Sequence, residues 1–301
     1  MADAKRIVFF TDCEWSLGLV HEGLRGCFER AGWDASLLEW AAVYEKLDDE
    51  PLYMTLPGSA AGALLSHKIP LSKTYLVAHA ESDLIEHQRR RLPSMGLYAG
   101  YGVTSDTLAC SSITLGIQRV PQVLRLGIDS ARYAATPLPD ALTRVGYMTI
   151  FERKTTHGIE IKRGQLAEQC AREAGLEFVT FPRVSNKIVH ELYGKFDAYV
   201  LSSLQDASPH PPLEAASAGR LLVGAPVGHY PRLALEGLGT LAPLNDLDFK
   251  AFVVAWLKAW KSASTARLQA ACVVGRQAAE RRRDWSVVGV DWIRFVEGAL
   301  S

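Results

Sequence analysis

The sequence predicts an α/β protein made of two doubly wound domains, each with a mostly parallel sheet. Short apolar runs alternate along the chain with longer segments whose apolar residues recur at helical spacing. Several of the longer segments close at a glycine, a common stop signal for a helix. Strands that alternate with helices form right-handed βαβ units, which build parallel sheets. The length of 301 residues suggests two such domains.

The N-terminal half carries the first series of units. Residues 7–10 form an apolar run of the kind found in buried parallel strands, and residues 19–31 show a helical pattern that closes at Gly32. The loop between them contains Gly18, which either serves the turn or lets the backbone approach a bound group. Further strands are predicted at residues 35–40, at residues 74–78 just before His79, and within residues 96–104.

A second series of units follows a proline-containing segment, residues 126–142, that reads as the link between the domains. Strands are predicted at residues 144–150, 177–181, 198–202 and 221–224. Helices are predicted between them at residues 163–174, 187–193 and 213–218, and later at residues 249–260, 263–283 and 288–300. We therefore expect domains at residues 1–125 and 143–283, with a final helical segment, residues 284–301, that packs back on the first domain.

Composition narrows the class of protein. Lysine plus arginine equals aspartate plus glutamate at 33 each, so bulk electrostatic binding to nucleic acid or to an anionic membrane is not expected. The five cysteines are scattered and form no CxxC pair, which fits reduced thiols in the cytoplasm and gives no metal-site signal. We expect the apolar residues near the start to form a first strand rather than a signal peptide, and no apolar run has the length that spans a bilayer.

The most informative segment carries two acids, Asp206 and Glu214, around a proline-rich turn that opens a short helix. Carboxylates accept hydrogen bonds from sugar hydroxyls. The start of a helix offers free N–H groups and a positive dipole end to phosphate. Together these features indicate a nucleotide-sugar, although acids are also common in the first turn of ordinary helices.

Residues 202–225 resemble the signature of retaining nucleotide-sugar glycosyltransferases with the GT-B fold, a group that includes glycogen synthases and many bacterial enzymes. The signature is an acid, seven residues, then Glu-Ala, three residues, Gly and an apolar strand. Here it reads Asp206, seven residues, Glu214 and later Gly219. The family's first acid is usually glutamate followed by Gly-aromatic-Gly. This chain has aspartate followed by Ala207, Ser208 and Pro209.

Further matches occur in the same order as in the family. Residues 123–133 are similar to a Gly-aliphatic-Asp segment that ends in an aromatic residue, here Tyr133. Residues 228–232 lie where the family has a glycine-rich loop, with Arg232 in place of a glutamate. The resemblance implies the GT-B fold, with two Rossmann-like domains facing a cleft, the acceptor on the N-terminal side and the nucleotide-sugar in the C-terminal domain.

The resemblance also implies residue roles. Glu214 would hold the ribose hydroxyls, Asp206 would hold hydroxyls of the transferred sugar, and the helix after Pro211 would face the diphosphate. Cations from residues 152–164 would contact phosphate, and Lys162 looks most like the family's lysine; a solvated charged loop is the alternative. His79 would contact the sugar, or simply be a satisfied polar residue at a strand end. The expected catalytic residues are His79, Lys162 and Asp206, and the expected donor-binding residues are Gly18, Arg153, Lys154, Arg163, Ser208, His210, Leu213 and Glu214.

The implied reaction is transfer of a sugar, of hexosyltransferase type, from a UDP- or GDP-sugar with retention of configuration. We expect no required metal, because the only Asp-x-Asp spacing noted, at Asp246 and Asp248, reads as a helix cap. The acceptor stays open among a glycan, a lipid carrier, a peptide and a modified nucleic-acid base. The alternatives are a GT-B nucleotide-sugar epimerase or hydrolase and a non-catalytic nucleotide-sugar-binding protein. A nicotinamide dehydrogenase is disfavoured, since no G-x-G-x-x-G follows the first strand.

Overall fold

The computed structural model describes residues 5–11, 16–40, 47–148, 160–181, 184–185 and 187–298. The chain divides into two compact units. The first contains residues 1–127 together with residues 285–301, and the second contains residues 128–284. No helix in the described ranges is long and apolar enough to cross a membrane.

The first unit contains a six-stranded sheet in the order β2-β1-β3-β4-β5-β6, in which every neighbouring pair is parallel. Its strands are β1 (Arg6–Thr11), β2 (Asp34–Glu39), β3 (Leu52–Thr55), β4 (Thr74–Ala78), β5 (Gly100–Val103) and β6 (Gln122–Val123). Its helices are α1 (Ser16–Arg30), α2 (Ser59–Ser66), α3 (Glu81–Arg89), α4 (Asp106–Thr114) and α11 (Trp285–Glu297).

Burial explains which of these strands are recognisable in the sequence. All five residues of β4 are buried, as expected for an inner strand of a parallel sheet covered on both faces. The predicted strands lie at β1, β2, β4 and β5. The sequence interpretation missed β3 and β6, of which β6 has only two residues. It also placed Gly18 in a loop, but α1 begins at Ser16, so Gly18 lies in the first helical turn.

Helix α11 belongs to the first unit because its aromatic side chains fit against small residues and backbone carbonyls there. A Cβ at Gly23 would lie 2.0 Å from Nε1 of Trp285, so only glycine leaves room for that ring. Trp292 Nε1 donates to the carbonyl of Arg125 at 2.8 Å. Tyr75 Oη donates to the carbonyl of Val296 at 2.6 Å. Residues distant in the sequence therefore complete one core.

The second unit contains a five-stranded parallel sheet in the order β11-β10-β9-β7-β8. Its strands are β7 (Arg144–Tyr147), β8 (Glu177–Thr180), β9 (Ala198–Leu201), β10 (Leu221–Gly224) and β11 (Thr240–Leu241). Its helices are α5 (Gly164–Glu173), α6 (Val189–Leu192), α7 (Pro211–Ser217), α8 (Tyr230–Leu235), α9 (Asp246–Lys261) and α10 (Thr265–Arg283). The helix predicted at residues 187–193 is shorter than expected, because α6 passes into a 3₁₀ turn at Tyr193–Lys195.

The strand order of the second unit reverses at β7, which has β8 on one side and β9 on the other. The connections that leave β7 and β9 therefore diverge and open a crevice at the carboxyl ends of these strands. Ligands of doubly wound sheets bind at such a switch point. The predicted fold class, GT-B with two Rossmann-like α/β domains, is confirmed.

Candidate functional site

The candidate site lies at the carboxyl ends of β7 and β9 in the second unit. Lys162 and Arg163 stand just before α5, in the connection that follows β7. Tyr147, the last residue of β7, donates its hydroxyl hydrogen bond to the carbonyl of Lys162 at 2.7 Å. Ser202, which follows β9, has its Oγ 2.9 Å from the carbonyl oxygens of both Lys162 and Arg163. Two strand ends thus fix the backbone that presents Lys162.

Lys162 and Asp206 form an ion pair in this crevice. Nζ of Lys162 lies 2.5 Å from Oδ2 of Asp206, and the two side chains are only 11% and 19% exposed. The carboxylate of Glu160 accepts hydrogen bonds from the backbone N–H of Lys162 at 2.7 Å and of Arg163 at 3.1 Å. A lysine ammonium has three N–H donors. Contact with Asp206 therefore leaves donors that can reach an anion.

Glu214, in α7, is a buried carboxylate held by two tyrosines. Its Oε1 accepts a hydrogen bond from Tyr133 Oη at 2.9 Å, and its Oε2 accepts one from Tyr193 Oη at 2.6 Å. Burial first, and the charge of Glu214 second, raise the pKa of both tyrosines above the ordinary value. Both hydroxyls therefore remain protonated donors at neutral pH.

The start of α7 does not offer the free N–H groups that the sequence interpretation expected. Pro211 and Pro212 have no N–H to give. The N–H groups of Leu213 and Glu214 both donate to the carbonyl of His210, at 2.9 and 3.3 Å. The side chain of Leu213 is fully buried in the core, so Leu213 offers neither group to a ligand. Anion recognition at this turn must come from side chains.

His210 is the polar side chain at the start of α7. It is 7% exposed, and neither of its ring nitrogens has a hydrogen-bond partner among the described residues. Burial lowers the pKa of His210, and the nearby charge of Glu214 opposes this in part. His210 is therefore held as a neutral imidazole that can both donate and accept a hydrogen bond.

The loop that begins at Gly228 packs directly on the turn that carries Asp206. Gly228 has a φ of +55°, in the left-handed region, and a Cβ there would lie 2.4 Å from the carbonyl oxygen of Ala207. The neighbouring His229 contacts the carbonyl oxygen of Pro209 through Nε2 at 2.7 Å. Burial lowers the pKa of His229 to about 3. The loop therefore supports the turn that carries Asp206 and Ser208.

Most of the Arg163 guanidinium is occupied by contacts within the second unit, and its buried Nη2 has no hydrogen-bond partner among the described residues. Its guanidinium donates to the carbonyl of Ser202, to the carbonyl of Leu244 at 2.8 Å and to Oδ1 of Asp246 at 2.6 Å. It also lies over the ring of Phe249, 5.0 Å from the centroid. These contacts tie the end of β9 to the start of α9. Asp246 thus pairs with Arg163, while Asn245 is the N-cap that accepts from the N–H of Asp248 at 3.0 Å.

His79 lies in the first unit, directly after β4. Its backbone N–H and that of Ala80 donate to Oδ2 of Asp83 at 2.9 and 2.8 Å, which caps α3. Burial raises the pKa of Asp83 to about 6. The His79 ring stands edge-on to His21 with centroids 6.3 Å apart. Burial lowers the pKa of His21 to about 3.

The structure brings Lys162 against Asp206, and it places Ser208, His210 and Glu214 in the segment that follows β9. Two predicted donor-binding residues, Arg153 and Lys154, lie outside the described residues. The sequence interpretation missed Tyr133 and Tyr193 as site residues. The position of Tyr133 at the aromatic end of the Gly-aliphatic-Asp segment was a usable signal, whereas nothing in the local sequence marked Tyr193.

No protein-family model matches the chain, and no curated protein matches it in sequence. Its fold is nevertheless similar to solved structures. A glycosyltransferase from Rickettsia africae has a TM-score of 0.70 at 11% identity, covering 99% of each chain. Sucrose-phosphate synthase from Thermosynechococcus elongatus has a TM-score of 0.67 at 11% identity, covering 98% of this chain and 99% of that one. Anabaena HepE in complex with UDP-glucose has a TM-score of 0.65 at 12% identity, covering 97% and 99%.

Proposed function

We propose that this protein transfers a sugar from a nucleoside-diphosphate sugar, with a UDP-sugar as the first choice, to an acceptor nucleophile. The observation that carries the proposal is the grouping of one cation and two carboxylates, Lys162, Asp206 and Glu214, at the switch point of the second unit. A polyhydroxylated anion needs both kinds of group, because its phosphates require donors and its hydroxyls require acceptors. The similarity to HepE with UDP-glucose supports the choice of nucleotide.

In this proposal each group has one task. Glu214 accepts hydrogen bonds from the two ribose hydroxyls. Asp206 holds Lys162 and accepts from hydroxyls of the transferred sugar. Lys162 places its ammonium on the diphosphate, where negative charge grows as the leaving group departs. A preorganised cation aimed at developing charge stabilises the transition state directly.

The proposed reaction breaks the bond between the anomeric carbon and the phosphate oxygen and forms one between that carbon and the acceptor. With retention, the acceptor attacks from the face that the phosphate leaves, and the departing phosphate oxygen takes the acceptor's proton. No protein nucleophile is then required. We also propose that Lys162 makes a divalent metal unnecessary. An epimerase or hydrolase would use the same groups and would turn over its donor without an acceptor.

Calorimetric titration with UDP, GDP and their sugar conjugates tests the proposal. We expect UDP and UDP-sugars to bind and Glu214→Ala to weaken binding by about 100-fold or more, because a charge-assisted diol contact is lost. Glu280→Ala, at an exposed position of α10, is the matched control and should bind as the parent does. The proposal fails if no nucleoside diphosphate or sugar conjugate binds. Incubation with UDP-sugar and EDTA, with and without candidate acceptors, then separates transfer from epimerisation or hydrolysis.

A further inference from the structure

We propose that Tyr133 and Tyr193 are positioning residues that aim the Glu214 carboxylate at a vicinal diol, so that the site selects ribonucleotides over deoxyribonucleotides. This inference rests on the proposed function, since it requires a nucleotide at Glu214. It adds two residues and a substrate preference that the acid signature alone does not contain.

The geometry divides the carboxylate evenly between the two tyrosines. Tyr133 occupies one oxygen and Tyr193 the other, each through a single hydroxyl. A carboxylate oxygen has two lone-pair directions. One acceptor direction therefore remains on each oxygen. Two adjacent hydroxyls of a ribose present two donors at matching spacing, whereas a deoxyribose presents only one.

The two tyrosines are themselves held in place. Their rings meet edge to face with centroids 5.7 Å apart, and the Tyr193 ring also packs edge to face on Phe196 at 5.4 Å. Tyr133 ends the 3₁₀ turn Ser130–Tyr133, and Tyr193 opens another. Glu214 is thus clamped from two segments that lie far from it in the sequence, and the direction of its free lone pairs is fixed.

The charge of Glu214 makes the preference strong. In the described part of the chain no lysine or arginine forms a salt bridge with Glu214, and the residue is 4% exposed. Among the described residues, the only donors to its carboxylate are the two tyrosine hydroxyls. A bound nucleotide that lacks one ribose hydroxyl would leave one acceptor direction of this buried carboxylate unfilled. Sites built to bind a hydroxyl reject analogues that lack it far more strongly than apolar pockets reject a missing methylene.

Tyrosine-to-phenylalanine substitutions test the inference, because they remove one hydroxyl and keep the ring. The measurement is the dissociation constant of UDP, 2′-deoxy-UDP and 3′-deoxy-UDP for each protein. The parent should prefer UDP over either deoxy analogue by about 100-fold or more. In Tyr133→Phe and Tyr193→Phe, UDP affinity should fall about tenfold while the affinities for the deoxy analogues stay nearly unchanged, so the preference should fall about tenfold. The KM for a UDP-sugar should rise with kcat nearly unchanged, because the contact is equal in the ground and transition states.

Tyr199→Phe is the matched control. Tyr199 is equally buried, lies in β9, and its hydroxyl has no hydrogen-bond partner in the described ranges. Tyr199→Phe should leave the preference for UDP over its deoxy analogues unchanged. Thermal unfolding without ligand shows which variants fold. If Tyr193→Phe does not fold, the measurements on Tyr133→Phe are sufficient to test the inference.

The outcomes separate the two proposals. A parent protein that binds no UDP overturns both the proposed function and this inference. A parent that binds UDP and its deoxy analogues equally overturns only the ribose preference, and donor binding stands. A folded Tyr133→Phe that keeps the full preference overturns the positioning role and leaves Glu214 as the ribose contact.

Discussion

Both units place polar side chains directly after strands of a parallel sheet, but the chemistry of those side chains differs. In the second unit, Lys162, Asp206 and Glu214 bring full charges to the switch point, and all three are mostly buried. In the first unit, the strand end at β4 carries His79 beside His21, a buried imidazole held neutral. This difference agrees with our proposal that the second unit binds an anion with many hydroxyls. The first unit offers groups that donate and accept without carrying charge.

Removing the cation of the second unit should have the largest effect. Lys162→Met keeps the length of the side chain and deletes the ammonium, leaving Asp206 without its partner. We expect kcat for sugar transfer to fall by about 100- to 1,000-fold, as when one preorganised electrostatic group is lost from a transition state. Lys258→Met, at an exposed position of α9, is the matched control and should retain activity. Steady-state kinetics at saturating donor measure the effect. An unchanged kcat in Lys162→Met would contradict a catalytic role for the charge that distinguishes the second unit from the first.

Much of the fold could be predicted because it follows from local patterns. The runs at β4 and β10 are mostly apolar and every residue in them is buried, as in strands inside a parallel sheet. Helix α3 carried no such signal, because only Leu84 and His87 of its nine residues are buried. Strand β3 is a four-residue element behind a proline, too short for its pattern to stand out.

The local pattern predicted the part of the site that lies within residues 206–214, whereas Lys162 was expected only from the resemblance. The spacing of Asp206 and Glu214 is visible in the sequence, and so is the absence of N–H donors at Pro211 and Pro212. The tyrosines that hold Glu214 come from positions 81 and 21 residues earlier in the chain. The position of Tyr193 depends on how a 3₁₀ turn packs on α7, which no local pattern encodes.

Asp83, the acid that caps α3, gives the first unit a pH-dependent stability that can be measured. Burial raises the pKa of Asp83 to about 6 in the folded protein, above the ordinary 3.8. Between these values the folded state binds more protons than the unfolded state, so stability falls as pH rises from about 4 to about 6. Asp83→Asn keeps an oxygen that can accept from the N–H groups of His79 and Ala80. It should raise the free energy of unfolding at pH 7 by up to about 3 kcal/mol.

Urea denaturation of the parent and of Asp83→Asn between pH 4 and pH 8 measures this effect. The two proteins should be nearly equal at pH 4 and diverge up to pH 6. A constant difference across the range would mean that the carboxyl titrates normally. Asp106→Asn, in the first turn of α4, is the matched control at an exposed position.

His21, the buried histidine of the first unit, should change the free energy of unfolding with pH in the direction opposite to Asp83. Its effect near neutral pH should be smaller. Burial lowers the pKa of His21 to about 3 from the ordinary 6.5, so between these values the unfolded state binds the extra proton. Stability contributed by the neutral ring is therefore present above pH 6.5 and is lost as pH falls toward 3. His21→Phe keeps an aromatic ring against Phe9, whose centroid lies 5.5 Å away, and removes the titration.

At pH 5 this substitution should reduce the acid-induced loss of stability by about 2 kcal/mol relative to the parent, while the difference measured at pH 8 reflects packing alone. His67→Phe, at a partly exposed position after α2, is the matched control. Asp83 and His21 change the stability of the same unit in opposite directions as the pH rises. In the parent these two contributions partly cancel. The double variant Asp83→Asn/His21→Phe should therefore have a flatter stability profile between pH 4 and pH 6 than either single variant. A profile as steep as that of either single variant would show that the pH response of the chain originates elsewhere, for example at His229 in the second unit.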